Sequence, residues 1–278
     1  MRDPGVARDL SVDGYSRLGP LLDPDECLGL RAAFDEAMRR LGQPLGDAWF
    51  PTSLLPDPPV RAYITEVVGR MVLPRLSEIV DLEVLGPVRM DYSVKPPGPA
   101  SELGPHQDFS IVDERRWTSL YLWVPLVDTD ATNGTLNVLP GSHRFTNRVR
   151  SRHVPARFDP VLGEVEAAST RLDCRAGELV LMTSGVIHFS PPNRSADVRL
   201  AAHGILKPVA APLLFYYADD NTPDGLAEVY EVGIDDYIDL TMNGRPGPDV
   251  KRTALCPRPT GDMQPERFAA GMKAIGAA

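Results

Sequence analysis

Cysteine is scarce in this sequence of 278 residues, which contains only Cys27, Cys174 and Cys256. The three lie far apart, are odd in number and form no CxxC pair. The sequence therefore predicts neither a disulfide framework nor a thiolate metal site. We expect all three cysteines to be reduced and structural.

The chain also lacks long apolar runs and an excess of positive charge. Nowhere do about eighteen uncharged apolar residues follow one another, and the first residues contain no apolar stretch of the kind that forms a signal peptide. The formal net charge is -9, whereas nucleic-acid partners require clustered Lys and Arg. These absences predict a cytoplasmic protein with no nucleic-acid or membrane partner. We also expect a monomer or a homodimer.

Helical periodicity is confined to the first part of the chain. Asp23 with Glu26 predicts a capping box, and the apolar residues that follow recur at helical spacing up to a stop at Gly42. A second helix is predicted from Asp57 to about Pro74. We expect these helices to make up most of residues 20–80.

From about residue 82 the pattern changes to short apolar or alternating runs separated by turn residues, which is typical of an all-β domain. Asn133 and Gly134 lie between two such runs and predict a hairpin with a type I′ turn. Residues 218–278 contain several turn motifs, and we expect loops with short helical pieces there.

Only five histidines are present, and one of them belongs to an HxD motif. His106 and Asp108, in "GPHQDFSIVDERRW", lie two residues apart, so on a strand they point to the same side. A catalytic metal needs a third ligand, and His188 is the best candidate because it follows the apolar strand "ELVLM". Two histidines and one carboxylate are diagnostic of non-heme Fe(II) oxygenases, in which the open positions hold a co-substrate and O2.

A co-substrate with a carboxylate at its far end needs a cation, and Arg199 in "VRLAAHG" fits that role. Each residue alone also has an ordinary structural explanation: HxD occurs by chance, His188 could be a core histidine, and Arg199 could be a solvated strand position. The combination, in an all-β context and in this order, favours the metal site.

"HQD", then "SLYLWVPLVDTDATNGTLNVLPGSHR", then "GELVLMTSGVIHFSPPNRSADVR" resembles the phytanoyl-CoA dioxygenase family of Fe(II)- and 2-oxoglutarate-dependent oxygenases. The resemblance covers roughly residues 10–210. It implies a mainly β fold, a double-stranded β-helix of two antiparallel sheets with the N-terminal helices packed against one sheet. We expect a single oxygenase domain over residues 1–278, with a core at about 82–217 and a loop-rich C-terminal extension at 218–278.

The resemblance also implies residue roles. It gives His106, Asp108 and His188 as the iron ligands, with Arg199 and Ser190 binding the far carboxylate of 2-oxoglutarate. Trp123 matches an aromatic residue in the co-substrate wall, and Tyr92, on the strand before the HxD motif, is a further candidate for co-substrate contact. Relatives that transfer halide have a small residue in place of Asp108, so its carboxylate favours oxygen insertion.

The implied activity is hydroxylation of an unactivated C–H bond of a small molecule, with release of succinate and CO2. Arginine outnumbers lysine 25 to 4, which suggests a high-GC bacterial genome. The resemblance then implies a secondary-metabolite substrate, because this family often tailors secondary metabolites in such bacteria. Candidate substrate residues are Asp113, Arg115 and His203, of which the first two belong to a charged segment expected to order over the substrate together with Glu114 and Arg116. The arginines of loop 144–157 are expected to be solvated or to receive an acidic group.

Three alternatives stay open. A metalloenzyme of the same fold could act without 2-oxoglutarate, and a zinc hydrolase could use the same three ligands with bound water as nucleophile. A non-catalytic barrel that only binds a ligand is the third. The hydrolase would not need Arg199, and the barrel predicts that His106 or Asp108 can be replaced with no loss of function.

Overall fold

The computed structural model describes residues 1–44, 46–146, 148–259 and 261–276. Six α-helices lie in these ranges: α1 (Pro4–Val12), α2 (Pro24–Leu41), α3 (Pro58–Leu76), α4 (Leu162–Ala168), α5 (Ile234–Asn243) and α6 (Pro265–Ala274). The two helices predicted from periodicity are α2 and α3, while α1 was not predicted.

The ends of α2 follow from its sequence. Asp23 accepts a hydrogen bond from the Glu26 backbone N–H, and the Glu26 side chain accepts one from the Asp23 N–H, so the predicted capping box is present. Gly42 ends the helix in the left-handed conformation with a φ of 66°. In α3 the helix continues past Pro74 to Leu76, two residues beyond the expected end.

Two antiparallel sheets form the β core, and the last three strands form a third. The strands are β1 (Tyr15–Pro20), β2 (Phe50–Pro51), β3 (Leu85–Lys95), β4 (Leu103–His106), β5 (Leu120–Pro125), β6 (Leu136–Val138), β7 (Thr170–Leu172), β8 (Glu178–Thr183), β9 (His188–Ser190), β10 (Arg199–Pro208), β11 (Leu214–Tyr217), β12 (Leu226–Glu231) and β13 (Arg252–Pro257). The larger sheet has the order β1-β8-β5-β10-β3-β2, and the smaller has the order β4-β9-β6-β7. The predicted mainly β fold, a double-stranded β-helix with helices on one sheet, is confirmed.

The main hydrophobic core lies between the helices and the outer face of the larger sheet. Strand β10 shows how the two faces divide: Leu200, Ala202 and Leu206 belong to this core, whereas Arg199 and His203 line a cavity on the inner face. The core also contains buried residues from α2, α3, β5 and β8, namely Leu30, Phe34, Ile64, Val68, Val72, Leu122 and Leu181. Burial of this apolar surface drives the helices onto the sheet.

The C-terminal extension is more ordered than predicted. It contributes β12, β13, α5 and α6, and β11 pairs with β12 in a three-stranded sheet of order β11-β12-β13. The expectation of loops with short helical pieces is therefore wrong for its strands. That residues 1–278 form a single domain stays a prediction.

The hairpin predicted at Asn133 and Gly134 is also wrong. Strands β5 and β6, which flank these residues, belong to different sheets. A type I′ turn needs positive φ at both central positions. Gly134 has a φ of 70°, but Asn133 does not have a positive φ, since among the described residues only glycines do. The connection is instead a crossover between sheets.

None of the helices in the described ranges combines the length and apolar character needed to cross a membrane.

Candidate metal centre and its cavity

Three predicted ligands meet at one end of the smaller sheet. His106 ends β4 and His188 begins β9, and the two residues are paired across these strands. Their ring centroids lie 4.2 Å apart, and His188 Nε2 lies 3.7 Å from Asp108 Oδ2. One ligand atom from each of the three residues lies within 4.8 Å of the others, an arrangement that could hold a metal ion.

Backbone carbonyls fix the orientation of both imidazole rings. His106 Nδ1 lies 2.8 Å from the Gly104 oxygen, and His188 Nδ1 lies 3.1 Å from the Val186 oxygen. A carbonyl oxygen accepts only, so each Nδ1 donates and each Nε2 presents a lone pair. This is the tautomer that a metal-binding histidine needs.

Burial sets the charge of the three groups. It lowers the pKa of His106 to about 4 and that of His188 to about 4, so both rings are neutral near pH 7. It also raises the pKa of Asp108, whose Oδ2 is buried and has no hydrogen-bond partner in the described structure. Two neutral imidazoles facing an orphaned carboxylate oxygen fit a divalent cation.

A buried ion pair positions Asp108. Arg150 is only 1% exposed, and its Nε donates to the Asp108 carbonyl oxygen at 2.7 Å. The Arg150 guanidinium also binds both carboxylate oxygens of Glu114, at 2.8 and 2.6 Å, and Glu114 accepts from Ser184 Oγ at 2.7 Å. The sequence predicted that this arginine is solvated or binds substrate, because its loop is rich in arginine and nothing in its spacing indicates a contact with the segment after β4.

The sequence predicted that Asp113 and Arg115 contact substrate. They pair with each other at 2.8 Å, and the Arg115 side chain is 69% exposed. Neither residue lines the cavity that contains the metal ligands. That Asp113 and Arg115 contact bound substrate stays a prediction, while Glu114 is held by Arg150 rather than facing the cavity.

A cavity of about 340 Å³ lies beside the three ligands, at the lower end of the usual size range for small-molecule sites. Its polar groups come from the inner faces of β3, β9 and β10, and its apolar wall comes from several parts of the chain. The wall residues include Trp49, Leu54, Phe109, Tyr121, Trp123, Leu136, Met182, Ile205, Tyr237 and Ile238. Helix α5 thus contributes to the wall, which sequence reasoning missed.

Arg199 lies in this cavity and is 3% exposed. Its Nη1 donates to the Gly134 oxygen at 2.7 Å and to Ser190 Oγ at 3.2 Å, and its Nη2 lies 3.4 Å from Ser93 Oγ. Burial lowers the pKa of Arg199 to about 9, which leaves the guanidinium charged near pH 7. Its Nε is buried without a hydrogen bond, and no carboxylate of the described residues forms an ion pair with it. A buried cation without an anion is costly, so the site favours an anionic ligand.

Two other predicted co-substrate residues, Ser190 and Trp123, line the cavity. The Arg199 guanidinium carbon lies 5.5 Å from the centre of the Trp123 ring. Their roles in binding remain predictions.

Tyr92 is wrong as a co-substrate residue. It is fully buried in the helix-facing core, where its hydroxyl donates to the Leu30 oxygen at 2.8 Å. Because side chains alternate between the two faces of a strand, Asp91 and Ser93, on either side of Tyr92, are the residues of β3 on the face toward the cavity. This orientation could not be predicted from alternation, because β3 is buried on both faces from Met90 to Lys95.

Fold and site together define an oxygenase-type double-stranded β-helix with a candidate metal centre, and comparison with known families gives the same class. Residues 10–201 match the family described as phytanoyl-CoA dioxygenase (PhyH). The chain belongs to this family, as its motifs predicted.

Curated relatives match a shorter segment. Phytanoyl-CoA dioxygenase of Arabidopsis thaliana is 32% identical over 113 residues, 40% of this chain and 40% of the relative. Phytanoyl-CoA dioxygenase 1 of Oryza sativa subsp. japonica is 31% identical over the same length, again 40% of each chain. The chain thus spans about two fifths of the length of these relatives.

Solved structures are similar over most of the chain. EvdO2 from Micromonospora carbonacea var. aurantiaca is 20% identical with a TM-score of 0.58, over 80% of this chain and 95% of that one. The epimerase SnoN, in complex with Fe3+, alpha-ketoglutarate and nogalamycin RO, is 20% identical with a TM-score of 0.57, over 93% and 97%. HygX from Streptomyces hygroscopicus, with nickel and 2-oxoglutarate bound, is 15% identical with a TM-score of 0.56, over 75% and 88%.

At sequence identities of 15–20%, the similarity to these three structures shows the fold alone. The cofactors predicted from the sequence, iron and 2-oxoglutarate, agree with the family and with SnoN, which holds Fe3+ and alpha-ketoglutarate. HygX holds 2-oxoglutarate with nickel, and in this chain the His-Asp-His group could hold the metal.

Proposed function

We propose that the protein is an Fe(II)- and 2-oxoglutarate-dependent dioxygenase. It hydroxylates an unactivated C–H bond of a small molecule, with O2 as oxidant and with succinate and CO2 as co-products. One observation carries the proposal: the buried cation Arg199, which has no carboxylate partner among the described residues, faces the same cavity as the His-Asp-His group. A metal site and a separate carboxylate site in one cavity suit a dicarboxylate co-substrate.

His106, Asp108 and His188 hold the metal in this proposal. The contacts of the two Nδ1 atoms leave both Nε2 lone pairs free, Asp108 Oδ2 has no hydrogen-bond partner among the described residues, and one ligand atom from each residue lies within 4.8 Å of the others. When bound, iron supplies oxygen activation and C–H oxidation coupled to decarboxylation of 2-oxoglutarate.

Arg199 and Ser190 bind the carboxylate of 2-oxoglutarate that lies away from the metal. The guanidinium is held by the Gly134 oxygen through Nη1, and its fork suits a carboxylate better than an ammonium would. Ser190 Oγ, 3.2 Å from Nη1, adds a hydroxyl donor once its own bond to Gly134 is exchanged. Trp123 covers the stem of the co-substrate.

The alternatives explain less of the cavity. A zinc hydrolase and a 2-oxoglutarate-independent metalloenzyme would use the three ligands but leave Arg199 as a buried, uncompensated charge. A non-catalytic barrel would explain neither the orphaned Asp108 oxygen nor the ring orientations. The Asp108 carboxylate also favours hydroxylation over halogenation, which needs a vacated metal position. We further propose a secondary-metabolite substrate and a cytoplasmic location.

Product analysis tests the reaction. The purified protein is incubated with Fe(II), 2-oxoglutarate, 18O2 and a library of small molecules, and products are analysed by mass spectrometry. The proposal predicts a product that gains one 18O atom, with one succinate formed per product. Substrate turnover that proceeds equally without 2-oxoglutarate, or with oxygen from water only, would instead identify one of the alternatives.

A further inference from the structure

A second polar cluster faces the cavity and takes no part in the metal or carboxylate sites. It consists of Arg89 and Asp91 on β3 and His203 on β10, and we call it the β3/β10 cluster. His203 is paired with Asp91 across the two strands, and the next pair on the same face of the sheet is Ile205 with Arg89. Arg199 lies at the start of β10, so the cluster and the carboxylate site occupy separate positions along one strand.

Asp91 is the buried centre of this cluster. It is 1% exposed, and its Oδ2 lies 3.2 Å from Arg89 Nε and 3.3 Å from the Ser53 backbone nitrogen. Its Oδ1 lies 2.8 Å from His203 Nδ1. Burial opposes ionisation, yet Arg89 and His203 outweigh it and lower the pKa of Asp91. The carboxylate therefore accepts, and His203 Nδ1 carries the proton it donates.

This arrangement leaves one donor group and one acceptor facing the cavity. The terminal nitrogens of Arg89 have no hydrogen bond to any described residue, and both Arg89 and His203 line the cavity. His203 Nε2 likewise has no hydrogen bond within the described ranges, and in the tautomer fixed by Asp91 it presents a lone pair. Because both side chains bind the same carboxylate, the donor and the acceptor are neighbours.

The surroundings of the cluster are apolar and aromatic. Tyr121 and Ile205 lie next to it on the sheet, while Phe109 and two residues of α5, Tyr237 and Ile238, also contribute to the wall. Arg89 and His203 line the same cavity as the three metal ligands, which places the cluster near the metal centre. A substrate anchored there would present its apolar part to the reaction centre.

We propose that Arg89 and His203 bind a hydroxyl group of the substrate, and that the substrate is otherwise an apolar ring system packed against Phe109, Tyr121 and Tyr237. A hydroxyl both accepts, from Arg89, and donates, to His203 Nε2. A carboxylate would satisfy Arg89 but meet the His203 lone pair. This inference rests on the proposed function, since it assigns the substrate of the same cavity.

Binding of three naphthalene derivatives tests the assignment. The protein is loaded with Mn(II) and saturating 2-oxoglutarate, so that Arg199 is occupied, and each compound is titrated by isothermal calorimetry. The compounds are 2-naphthol, 2-methoxynaphthalene, which accepts but cannot donate, and 2-naphthoate. We expect 2-naphthol to bind at least about fivefold more tightly than either of the others, since one net hydrogen bond contributes about 1 kcal/mol.

Variants assign the preference to the cluster. Arg89→Met and His203→Phe should each reduce the preference for 2-naphthol to within about twofold, while the affinity for 2-oxoglutarate stays unchanged. Arg70→Met, at a side chain 69% exposed on α3, is the matched control and should keep the full preference. If Arg89→Met does not fold, the double variant Arg89→Met with Asp91→Asn, which removes both buried charges, replaces it.

Several results would overturn the inference. These are equal binding of 2-naphthol and 2-methoxynaphthalene, tightest binding of 2-naphthoate with dependence on Arg89, an undiminished preference in both variants, or no binding of any compound by protein that binds 2-oxoglutarate. Failure of the proposed function looks different. If the proposed function fails, the wild type does not bind 2-oxoglutarate. The preference for 2-naphthol, measured again without metal and co-substrate, still tests the roles of Arg89 and His203.

Discussion

Arg199 and Ser190 share one acceptor: the Gly134 carbonyl oxygen lies 2.7 Å from Arg199 Nη1 and 2.8 Å from Ser190 Oγ. The crossover between β5 and β6 thus orients both residues proposed to bind 2-oxoglutarate. Gly134 has a φ of 70°, and a Cβ added there would lie 2.2 Å from the Pro191 oxygen. Both facts require glycine at this position.

Gly134→Ala is therefore expected to destabilise the protein by at least about 1–3 kcal/mol, from backbone strain and the clash with Pro191. It should also weaken 2-oxoglutarate binding, because the acceptor that orients Arg199 moves. Urea unfolding and calorimetric titration measure the two effects. Gly163→Ala, in α4 where a Cβ meets nothing within 4 Å, is the control and should not destabilise. An unchanged 2-oxoglutarate affinity in Gly134→Ala would show that this carbonyl does not position Arg199.

Arg150→Met is expected to weaken metal binding about 10- to 100-fold, the usual effect of removing a group that orients a metal ligand. The substitution removes the bond from Nε to the Asp108 oxygen and leaves Glu114 partly buried without its cation. The double variant Arg150→Met with Glu114→Gln restores charge balance, so it should recover stability but not metal affinity. Titration with Ni(II) measures the affinity.

The exposed Arg152 lies in the same loop, and Arg152→Met serves as the control for Arg150→Met. Full recovery of metal affinity in the double variant would contradict a positioning role, because it would show that only the unpaired charge of Glu114 had mattered.

Metal-free protein is expected to lose stability as the pH falls from about 6.5 to about 4. Burial lowers the pKa of both His106 and His188 from 6.5 to about 4, so in this window the unfolded chain takes up protons before the folded one does. The double variant His106→Gln with His188→Gln removes this difference and keeps every carboxyl group. Urea unfolding in the presence of a chelator should show that the free energy of unfolding depends more steeply on pH in the wild type than in the double variant. Parallel curves would show that the two rings are not buried as neutral groups.

Tyr92→Phe tests the corrected position of that residue. The substitution removes the hydrogen bond from the hydroxyl to the Leu30 oxygen, which should cost about 0.5–1.5 kcal/mol of stability. The affinity for 2-oxoglutarate should not change, because the ring packs against α2 rather than in the cavity. Tyr63→Phe, at a half-buried ring beside Arg40, is the control. A weaker affinity for 2-oxoglutarate in Tyr92→Phe alone would return Tyr92 to the co-substrate site.

Local signals explain why part of this site could be predicted from the sequence. The spacing of His106 and Asp108 places them on one side of an extended segment, and His188 follows a strand that its apolar run makes recognisable. The alternation of β10 placed Arg199 and His203 on one face, and the structure shows both in the cavity. The helices and the strand-rich part were predicted for the same reason, since periodicity is a local property.

Contacts between distant segments were not predictable. Whether Tyr92 or Ser93 faces the cavity depends on which way β3 is turned, and β3 is buried on both faces there. The contact of Arg150 with Asp108 joins a loop to a strand end 42 positions away. The wall residues of α5 depend on how the C-terminal extension folds back onto the barrel, and the local periodicity of a helix does not specify that contact.

The most direct test of the account is anaerobic titration of the Fe(II)-loaded protein with 2-oxoglutarate, followed by visible absorption, with Arg199→Ala in parallel. We expect a weak charge-transfer band that saturates in the wild type, and a band in Arg199→Ala that needs at least about tenfold more 2-oxoglutarate, since a charge-assisted hydrogen bond contributes about 1.5–3 kcal/mol. Absence of the band in wild-type protein shown to bind iron would contradict the assignment of 2-oxoglutarate as co-substrate.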